Sequence, residues 1–332
     1  MNAMLDLHGV TRRFEKKLDG VERLARRLGA DLRETCVNAV DGASFAVTRG
    51  EVVGLVGESG CGKSTLGRMV AGLLPVSEGE IRFEGVDVTD AASPQARDKR
   101  LRIQMIFQDP MSSLNPRMKV VDIVGEAAVH HGLTTRREVA GYVDALLEKV
   151  GLDRAFAQRY PHQMSGGQRQ RIGIARALAV QPEFLICDES IAALDVSIQA
   201  QVINLFQDLR RDLDLTYLFI SHDLGVVEHI ADRVVVMYLG RIVEIAPTDA
   251  LFDGPRHPYT QALLDQVPRL GAGRQAFRTV KGEIPSPLNP PAGCHFHPRC
   301  PMAGPRCKRE VPRTIADGAR STACHLHDGG VA

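Results

Sequence analysis

A short buried strand that runs into a glycine-rich turn constrains this chain more than any other feature of its sequence. Residues 51–56 read EVVGLV, an apolar run typical of a strand buried on both faces of a parallel sheet, and GESGCGKS follows at residues 57–64. The pattern G-x-x-x-x-G-K-[ST] after a strand indicates a loop whose backbone N–H groups close around phosphates at the start of a helix. In such a loop Lys63 neutralises phosphate charge and the Ser64 hydroxyl is a ligand for Mg²⁺.

Strands and helices alternate after this loop. Residues 182–189 (PEFLICDE) and 215–223 (LTYLFISHD) read as two more buried strands, and a helical pattern over residues 198–213 separates them. Residues 80–89 and 233–245 are predicted to form hairpins beside this core. The sequence therefore predicts an α/β fold built on a parallel sheet.

The chain changes character at three places. Residues 110–178 have a helical pattern and are predicted to form a helical subdomain inserted into a sheet domain that spans residues 1–248. Residues 16–36 carry an apolar stripe among many charges, which predicts a short amphipathic helix in a surface insertion. Prolines become frequent from residue 249, so residues 249–332 are predicted to be a loop-rich extension.

The bulk properties limit the class of protein. The net charge is +1, from 41 basic and 40 acidic side chains, and this balance argues against a nucleic-acid partner. No run of about 18 apolar residues and no signal peptide are evident. If the protein works at a membrane, we expect another chain to supply the membrane-spanning part.

Polar side chains at the ends of the predicted strands are candidates for the rest of a phosphate-transfer site. Asp188 and Glu189 end the second strand, where Asp188 would hold Mg²⁺ and Glu189 would act as general base toward water. His222 follows the third strand and can orient that water. Gln108 lies where the sheet gives way to the helical part, and its amide can contact both water and Mg²⁺.

A second anion-binding pattern precedes the second strand. Ser165, Gly166, Gly167 and Gln168 lead into a predicted helix over residues 169–179. A serine hydroxyl and glycine N–H groups at a helix N-terminus bind anions, although the same tetrad also makes an ordinary helix cap. Because the chain already has one phosphate loop, we infer that this second device serves the nucleotide of a neighbouring chain.

Taken in this order, the motifs resemble the nucleotide-binding subunit of ABC transporters over about residues 5–248. The resemblance implies an ABC-type nucleotide-binding domain: a RecA-like parallel-sheet core with an antiparallel β subdomain and the inserted helical subdomain. It implies an ATPase with ATP and Mg²⁺ as cofactors, whose catalytic residues are Glu189, His222 and Gln108 and whose Mg²⁺ ligands are Ser64, Gln108 and Asp188. The implied ATP contacts are Phe14, Gly57, Glu58, Ser59, Gly60, Cys61, Gly62, Lys63, Ser64 and Thr65, with Ser165, Gly166, Gly167, Gln168 and Asp195 acting in trans.

The end of the chain narrows the resemblance. Residues 256–260 (RHPYT), 282–286 (GEIPS) and 107–116 (FQDPMSSLNP) look like segments of oligopeptide/dipeptide importer ATPases. Importers of nickel and other small solutes share these segments, so the solute stays open. The implied partners are a second ABC ATPase chain, identical or different, transmembrane permease subunits and an extracytoplasmic solute-binding protein, at the cytoplasmic face of the membrane. The rival interpretation is an ABC ATPase that serves nucleic acid or the ribosome.

Four cysteines lie in the extension at the spacing C-x5-C-x6-C-x16-C, namely Cys294, Cys300, Cys307 and Cys324. In a reducing compartment such a group is more typical of a metal site than of two disulfides, and four thiolates bind either a [4Fe–4S] cluster or tetrahedral zinc. The resemblance to importer ATPases favours the cluster. Alternative ligands are His295, His297, His325 and His327.

Overall fold

The computed structural model describes residues 3–16, 22, 27–28, 35–90, 92–109, 113–192, 194–266 and 282–328. Most of the segment predicted as an amphipathic helix within residues 16–36 lies outside the described residues, as do residues 110–112 at the start of the predicted helical subdomain. No helix within the described ranges is long and apolar enough to cross a membrane.

Strands and helices alternate along much of the described chain. The strands are β1 (Ala3–Lys16), β2 (Thr35–Thr48), β3 (Val52–Val56), β4 (Glu78–Phe83), β5 (Val86–Asp87), β6 (Ile103–Ile106), β7 (Phe184–Asp188), β8 (Thr216–Ile220), β9 (Arg233–Tyr238), β10 (Arg241–Pro247), β11 (Thr314–Asp317) and β12 (Arg320–Ala323). The helices are α1 (Lys63–Val70), α2 (Pro94–Leu101), α3 (Val120–His130), α4 (Val139–Lys149), α5 (Gly166–Leu178), α6 (Val196–Leu213), α7 (Leu224–Ile230), α8 (Thr248–Asp253) and α9 (Pro258–Leu264).

The main sheet has the strand order β11-β12-β10-β9-β3-β8-β7-β6. Strands β9, β3, β8, β7 and β6 are parallel, and β3 lies between β8 and β9. The three runs predicted as buried strands form β3, β7 and β8, and all of their residues are buried. The predicted α/β fold with a parallel core is confirmed.

The pleat of β3 divides its side chains between two hydrophobic cores, one on each face of the main sheet. Val52 and Val56 pack into the core that includes α3, α4 and α5 of the helical part. Val53 and Leu55 pack into the other core, together with Leu66 of α1. This strand is therefore the point at which both layers of the molecule meet.

A second, antiparallel sheet has the order β2-β1-β4-β5 and packs on the α1 side of the main sheet. Both predicted hairpins are present, and each turns on a pair of residues with positive φ: Glu84 (48°) and Gly85 (78°), then Leu239 (42°) and Gly240 (84°). Two consecutive positive φ values match the tight turns that suit the twist of a hairpin. The antiparallel β subdomain of the resemblance is thus present.

The extension is loop-rich over residues 282–313, as predicted, with one short 3-10 turn at Arg306–Lys308, but helices and strands lie on either side of that stretch. It begins with helices α8 and α9, and its β11–β12 hairpin pairs antiparallel with β10 through Glu244–Thr322 and Ile245–Ser321. The strand RSTA of β12 carries no apolar alternation that a sequence pattern could detect, and backbone hydrogen bonds to β10 hold it in place. The extension is therefore part of the main sheet.

A buried carboxylate anchors the start of α9. Glu244 on β10 is 1% exposed and accepts hydrogen bonds from the N–H groups of Arg256 (2.8 Å) and His257 (2.9 Å). The Nδ1 atom of His257 in turn accepts from the N–H of Tyr259 (3.0 Å) and so caps the helix. Burial, with a smaller contribution from the charge of His327, lowers the pKa of His257 to about 3.

The buried histidine makes the stability of this region sensitive to acid. His257 is neutral in the folded chain, so the unfolded chain, with a histidine pKa of 6.5, binds the proton more readily. The stability is fully present above pH 6.5 and is lost as the pH falls toward the folded pKa, by about 2 kcal/mol at pH 5. His257→Asn keeps a capping oxygen that does not titrate. We therefore expect the free energy of unfolding of this variant to fall less on acidification than that of the wild type.

The measurement is urea unfolding of the wild type and of His257→Asn at pH 7.5 and pH 5. The variant loses the ring contact with Phe296 and is therefore expected to be less stable at pH 7.5. The relevant quantity is the change in unfolding free energy between the two pH values. An equal acid-induced loss in both proteins would contradict the role of His257.

Candidate functional site

The phosphate loop lies between β3 and α1, where two of its glycines approach backbone from both sheets. A Cβ at Gly57 (φ 152°) would lie 2.1 Å from the carbonyl oxygen of Met237 in β9. A Cβ at Gly62 (φ 109°) would lie 2.1 Å from the carbonyl oxygen of Ala39 in β2. A side chain at either position would clash with backbone, so both must be glycine for the loop to take this path.

The centre of the loop is positively charged and fixed in place. Lys63 is 4% exposed, and its ammonium donates to the carbonyl oxygens of Gly57 (2.8 Å) and Glu58 (3.1 Å). No side chain caps the N-terminus of α1, whose N-cap is Gly62. A buried ammonium beside an uncapped helix N-terminus suits the phosphates of a nucleotide.

A cavity of about 240 Å³ opens above the loop. Most of the predicted phosphate-contacting residues line it, together with two of the predicted catalytic residues: Ser59, Gly60, Gly62, Lys63, Ser64, Thr65, Gln108 and Glu189. Three predicted ATP contacts of the phosphate loop itself lie outside this lining. Gly57 and Cys61 are buried beneath the loop, and the Glu58 carboxylate is paired with Arg299.

The cavity also has walls that the sequence analysis missed. They come from β2, from the β9–β10 turn and from the extension: Val37, Asn38, Ala39, Leu239, Gly240 and Pro287. The Leu239-Gly240 turn was visible in the sequence as a hairpin signal, and Pro287 follows directly after the GEIPS segment. Neither signal indicated that the residue would face the phosphate loop.

Two of the residues predicted to bind Mg²⁺ lie side by side next to the phosphate loop. The Ser64 hydroxyl donates to Oδ1 of Asp188 at 2.7 Å, and Asp188 is 2% exposed. Burial raises the pKa of Asp188, against the lowering effects of the Ser64 hydrogen bond and the charge of Arg68. A buried carboxylate whose charge is incompletely compensated, beside a hydroxyl, fits the oxygen-ligand preference of Mg²⁺.

Glu189 gathers the remaining predicted catalytic side chains. Its Oε2 accepts from Nε2 of Gln108 (2.7 Å), and its Oε1 lies 3.4 Å from Nδ1 of His222. The Glu189 backbone has φ 45°, a left-handed conformation that a non-glycine residue seldom adopts, and its N–H donates to the carbonyl of Ile220 in β8. The structure therefore brings Gln108, Glu189 and His222 together beside the phosphate loop.

Phe14 lies next to the cavity wall and not in it. The residue is 39% exposed on β1 and pairs with Val37 of β2, which does line the cavity. The Arg12 guanidinium lies 4.7 Å from the centre of its ring.

The second anion-binding pattern forms a helix cap on the surface. The Ser165 Oγ accepts from the N–H of Gln168 (3.3 Å), and the Ser165 N–H donates to Oε1 of Gln168 (3.0 Å), so both residues form a reciprocal capping box. Ser165, Gly166 and Asp195 are exposed. None of Ser165, Gly166, Gly167, Gln168 and Asp195 lines the cavity over the phosphate loop of this chain.

The four cysteines of the extension converge but do not form a recognisable metal site. Burial raises the pKa of Cys324 to about 11, with smaller contributions from the charges of Cys294, Cys300 and Cys307, which indicates that the four thiols are neighbours. The N–H of Cys294 also donates to the carbonyl of Cys307 at 2.9 Å. In the described part of the chain, however, no group of three or more His, Cys, Asp or Glu side chains is arranged to hold a metal ion.

The histidines named as alternative ligands have other hydrogen-bond partners. His325 uses both ring nitrogens, Nδ1 with Asp328 and Nε2 with the carbonyl of Glu310. His295 and His297 each engage Nδ1 with a backbone carbonyl, and His327 engages Nε2 in the same way. The structure gives these histidines roles within the fold of the extension.

Comparisons with known proteins agree with this site. Residues 40–192 match the family model described as ABC transporter, and residues 243–307 match the model described as the C-terminal region of oligopeptide/dipeptide transporters. The oligopeptide transport ATP-binding protein AppF of Bacillus subtilis is 53% identical over 296 residues, which cover 88% of this chain and 90% of AppF. A putative peptide import ATP-binding protein of Brucella abortus is 52% identical over 293 residues, 88% of this chain and 87% of that protein.

Solved structures resemble the fold as well. CbiO1 of Clostridium perfringens, part of the ABC transporter complex CbiONQ, superposes with a TM-score of 0.63 at 27% identity, over 76% of this chain and 92% of CbiO1. The chain therefore belongs to the ATP-hydrolysing, ATP-binding subunits of the oligopeptide/dipeptide family of ABC transporters.

Proposed function

We propose that ATP hydrolysis by this chain drives the import of di- and oligopeptides through permease subunits formed by other chains. The observation that carries this proposal is the match of residues 243–307 to the C-terminal region of oligopeptide/dipeptide transporters, in addition to the ABC match. The names of the relatives from B. subtilis and B. abortus support the same solute class, and the latter supports import. The chain would act at the cytoplasmic face of the membrane. An extracytoplasmic solute-binding protein would deliver the peptides to the permease subunits.

The contacts within the site support a different role for each of its residues. Lys63 and the N–H groups at the start of α1 would bind the phosphates, and Ser64, Asp188 and Gln108 would hold Mg²⁺. When bound, Mg²⁺ supplies charge compensation for the phosphate oxygens. Glu189 accepts a proton from the attacking water.

His222 completes this arrangement. Its Nδ1 lies on the Oε1 side of Glu189, opposite the oxygen that Gln108 contacts, and 56% of its side chain is exposed. A water molecule between the phosphates and Glu189 can therefore also contact the His222 ring, which would orient it.

The exposed helix cap supports a head-to-tail dimer of cassettes. A Cβ at Gly166 would lie 3.7 Å from Leu194, so the start of α5 and the segment before α6 form one surface. On that surface Val196 is 82% exposed and adjoins the exposed Asp195. An apolar side chain beside an anion-binding helix N-terminus suits a surface that closes over the nucleotide of a second ATPase chain.

Glu189→Gln is the sharpest test of the base. Glutamine keeps the shape and the contact with Gln108 but cannot accept the proton, so we expect ATP affinity to be retained and turnover to fall by about 10²-fold or more. The measurements are phosphate release and equilibrium ATP binding. Unchanged hydrolysis would remove Glu189 from the role of general base.

The same variant tests the dimer. With hydrolysis blocked, Glu189→Gln is expected to elute as a dimer in ATP and as a monomer without it. Adding Ser165→Arg, which places a bulky side chain on the exposed cap, is expected to abolish the dimer while leaving the chain folded. A dimer that persists unchanged with Ser165→Arg would contradict the role of this cap.

Peptide import is tested on the whole transporter. We expect the chain, purified from its native membrane, to carry permease subunits with it, and we expect reconstituted complex with its solute-binding protein to show higher ATPase activity with a mixture of short peptides. Nickel added as the chloride serves as the control solute. Stimulation by nickel alone, or co-purification with ribosomes or nucleic acid, would contradict the proposal.

For the four cysteines we propose a [4Fe–4S] cluster, in preference to zinc. Their spacing and their convergence support this assignment, while the arrangement of the described side chains does not form a metal site. We expect anaerobically purified protein to be brown with about four iron atoms per chain, and Cys294→Ser to lose both. Cys36→Ser, which changes an exposed cysteine outside this group, is the matched control. Colourless protein with stoichiometric zinc, or with no metal, would contradict the cluster.

A further inference from the structure

The residue after Gly57 in the phosphate loop is held by two side chains from the distant C-terminal part of the chain. The N–H of Glu58 donates to the hydroxyl of Tyr259 at 2.8 Å. The Glu58 carboxylate accepts from Arg299 through both of its oxygens, at 2.6 Å from Nη1 and 2.8 Å from Nη2. We call these three residues the Glu58 clamp.

The arginine arm of the clamp is buried and has one geometry. The Arg299 side chain is 4% exposed and that of Glu58 is 19% exposed. The Nη1 of Arg299 also donates to the Tyr238 hydroxyl at 3.4 Å, and the buried Nε of Arg299 has no hydrogen-bond partner among the described residues. A two-point pair between planar groups fixes orientation as well as distance, so Glu58 cannot shift without leaving a buried charge unpaired.

The tyrosine arm is equally constrained. Tyr259 is fully buried, at the N-terminal end of α9, and its ring packs with those of Tyr238 (4.6 Å between centres) and Phe296 (5.3 Å). His257 accepts from its N–H. The RHPYT segment thus positions one hydroxyl at the phosphate loop, and Phe296, three residues before Arg299, packs on the same ring.

The clamp holds the backbone to which the phosphate-binding residue Lys63 donates its hydrogen bonds. Lys63 donates to the carbonyl oxygens of Gly57 and Glu58. The Gly57 carbonyl belongs to the same peptide group as the clamped N–H of Glu58, and the Glu58 carbonyl belongs to the next peptide group. Displacing Glu58 would therefore displace both acceptors of the ammonium. The loop would then leave the conformation in which its N–H groups converge on a phosphate.

We propose that Arg299 and Tyr259 are positioning residues for the phosphate loop, through which the C-terminal extension sets the affinity of this ATPase for nucleotide phosphates. This inference depends on ATP binding at the loop and is independent of the transported solute. It gives the side chains of Tyr259 and Arg299 a function within the ATP site, although neither residue lines the cavity over the phosphate loop.

Arg299→Gln tests the clamp directly. Glutamine leaves Glu58 without its two-point partner, and we expect the dissociation constants of both ATP and ADP to rise by about tenfold, since hydrogen bonds to charged groups correspond to factors of that size. Both nucleotides are affected because the loop binds the phosphates they share. We expect KM for ATP to rise similarly while kcat at saturating ATP stays within about twofold, because bound nucleotide restores the loop.

The matched control is Arg256→Gln. It removes the ion pair of Arg256 with Asp317, another arginine–carboxylate contact within the C-terminal part, which does not touch the phosphate loop. We expect its nucleotide affinities to equal those of the wild type. Equal losses in Arg256→Gln and Arg299→Gln would show a general effect of perturbing the extension and would overturn the proposal.

Two further variants keep the test decisive. Tyr259→Phe keeps the ring in its aromatic packing and removes only the hydroxyl, so it reports on the clamp even if Arg299→Gln fails to fold, and we expect weaker ATP binding at an unchanged melting temperature. Adding Glu58→Gln to Arg299→Gln should cause no further loss of nucleotide affinity, because both changes remove the same interaction, the pair between Arg299 and Glu58. Wild-type affinity for ATP and ADP in folded Tyr259→Phe, or fully additive losses in the double variant, would overturn the proposal.

Discussion

The phosphate loop is confined by backbone from two sheets, and the rest of the site depends on this close approach. The carbonyl oxygens of Met237 and Ala39 occupy the space where side chains of Gly57 and Gly62 would lie. Met237 belongs to the main sheet and Ala39 to the antiparallel sheet. The loop can therefore take its path only when the two sheets are packed in the relative position seen here. The buried position of Lys63 at the start of α1 follows from that packing, so the ATP site is a property of the whole cassette.

Much of this could be read from the sequence because the relevant signals are local. The run EVVGLV followed by GESGCGKS specifies a buried strand, a glycine-dependent turn and a helix start within 14 residues, and β3 and α1 form there. Asp188 and Glu189 could be placed because a carboxyl strand end faces the ligand crevice in any parallel sheet. The positive φ of Glu189 gave no signal, since it arises from tertiary contacts that hold a glutamate where glycine would be relaxed.

Contacts between distant segments were not predictable from these patterns. Glu58 was expected to contact ATP because it lies within the loop motif, whereas its carboxylate faces Arg299, 241 residues away. The loop-rich character of the extension was predicted from its prolines, but the two strands that it adds to the main sheet were not, because backbone hydrogen bonds hold them and leave no side-chain pattern. The four cysteines showed their grouping through spacing, but spacing does not determine the positions of thiols in space.

The pairing of β12 with β10 also changes which strand edge faces the solvent. Without residues beyond 247, the seven-residue strand β10 would present a row of unpaired N–H and carbonyl groups, a ready template for a strand from another copy. In the intact chain the outermost strand is β11, which is four residues long and mostly exposed. A short outer strand offers little length for such pairing. The extension therefore occupies part of the β10 edge, at Glu244 and Ile245, that would otherwise be open to pairing with a second copy.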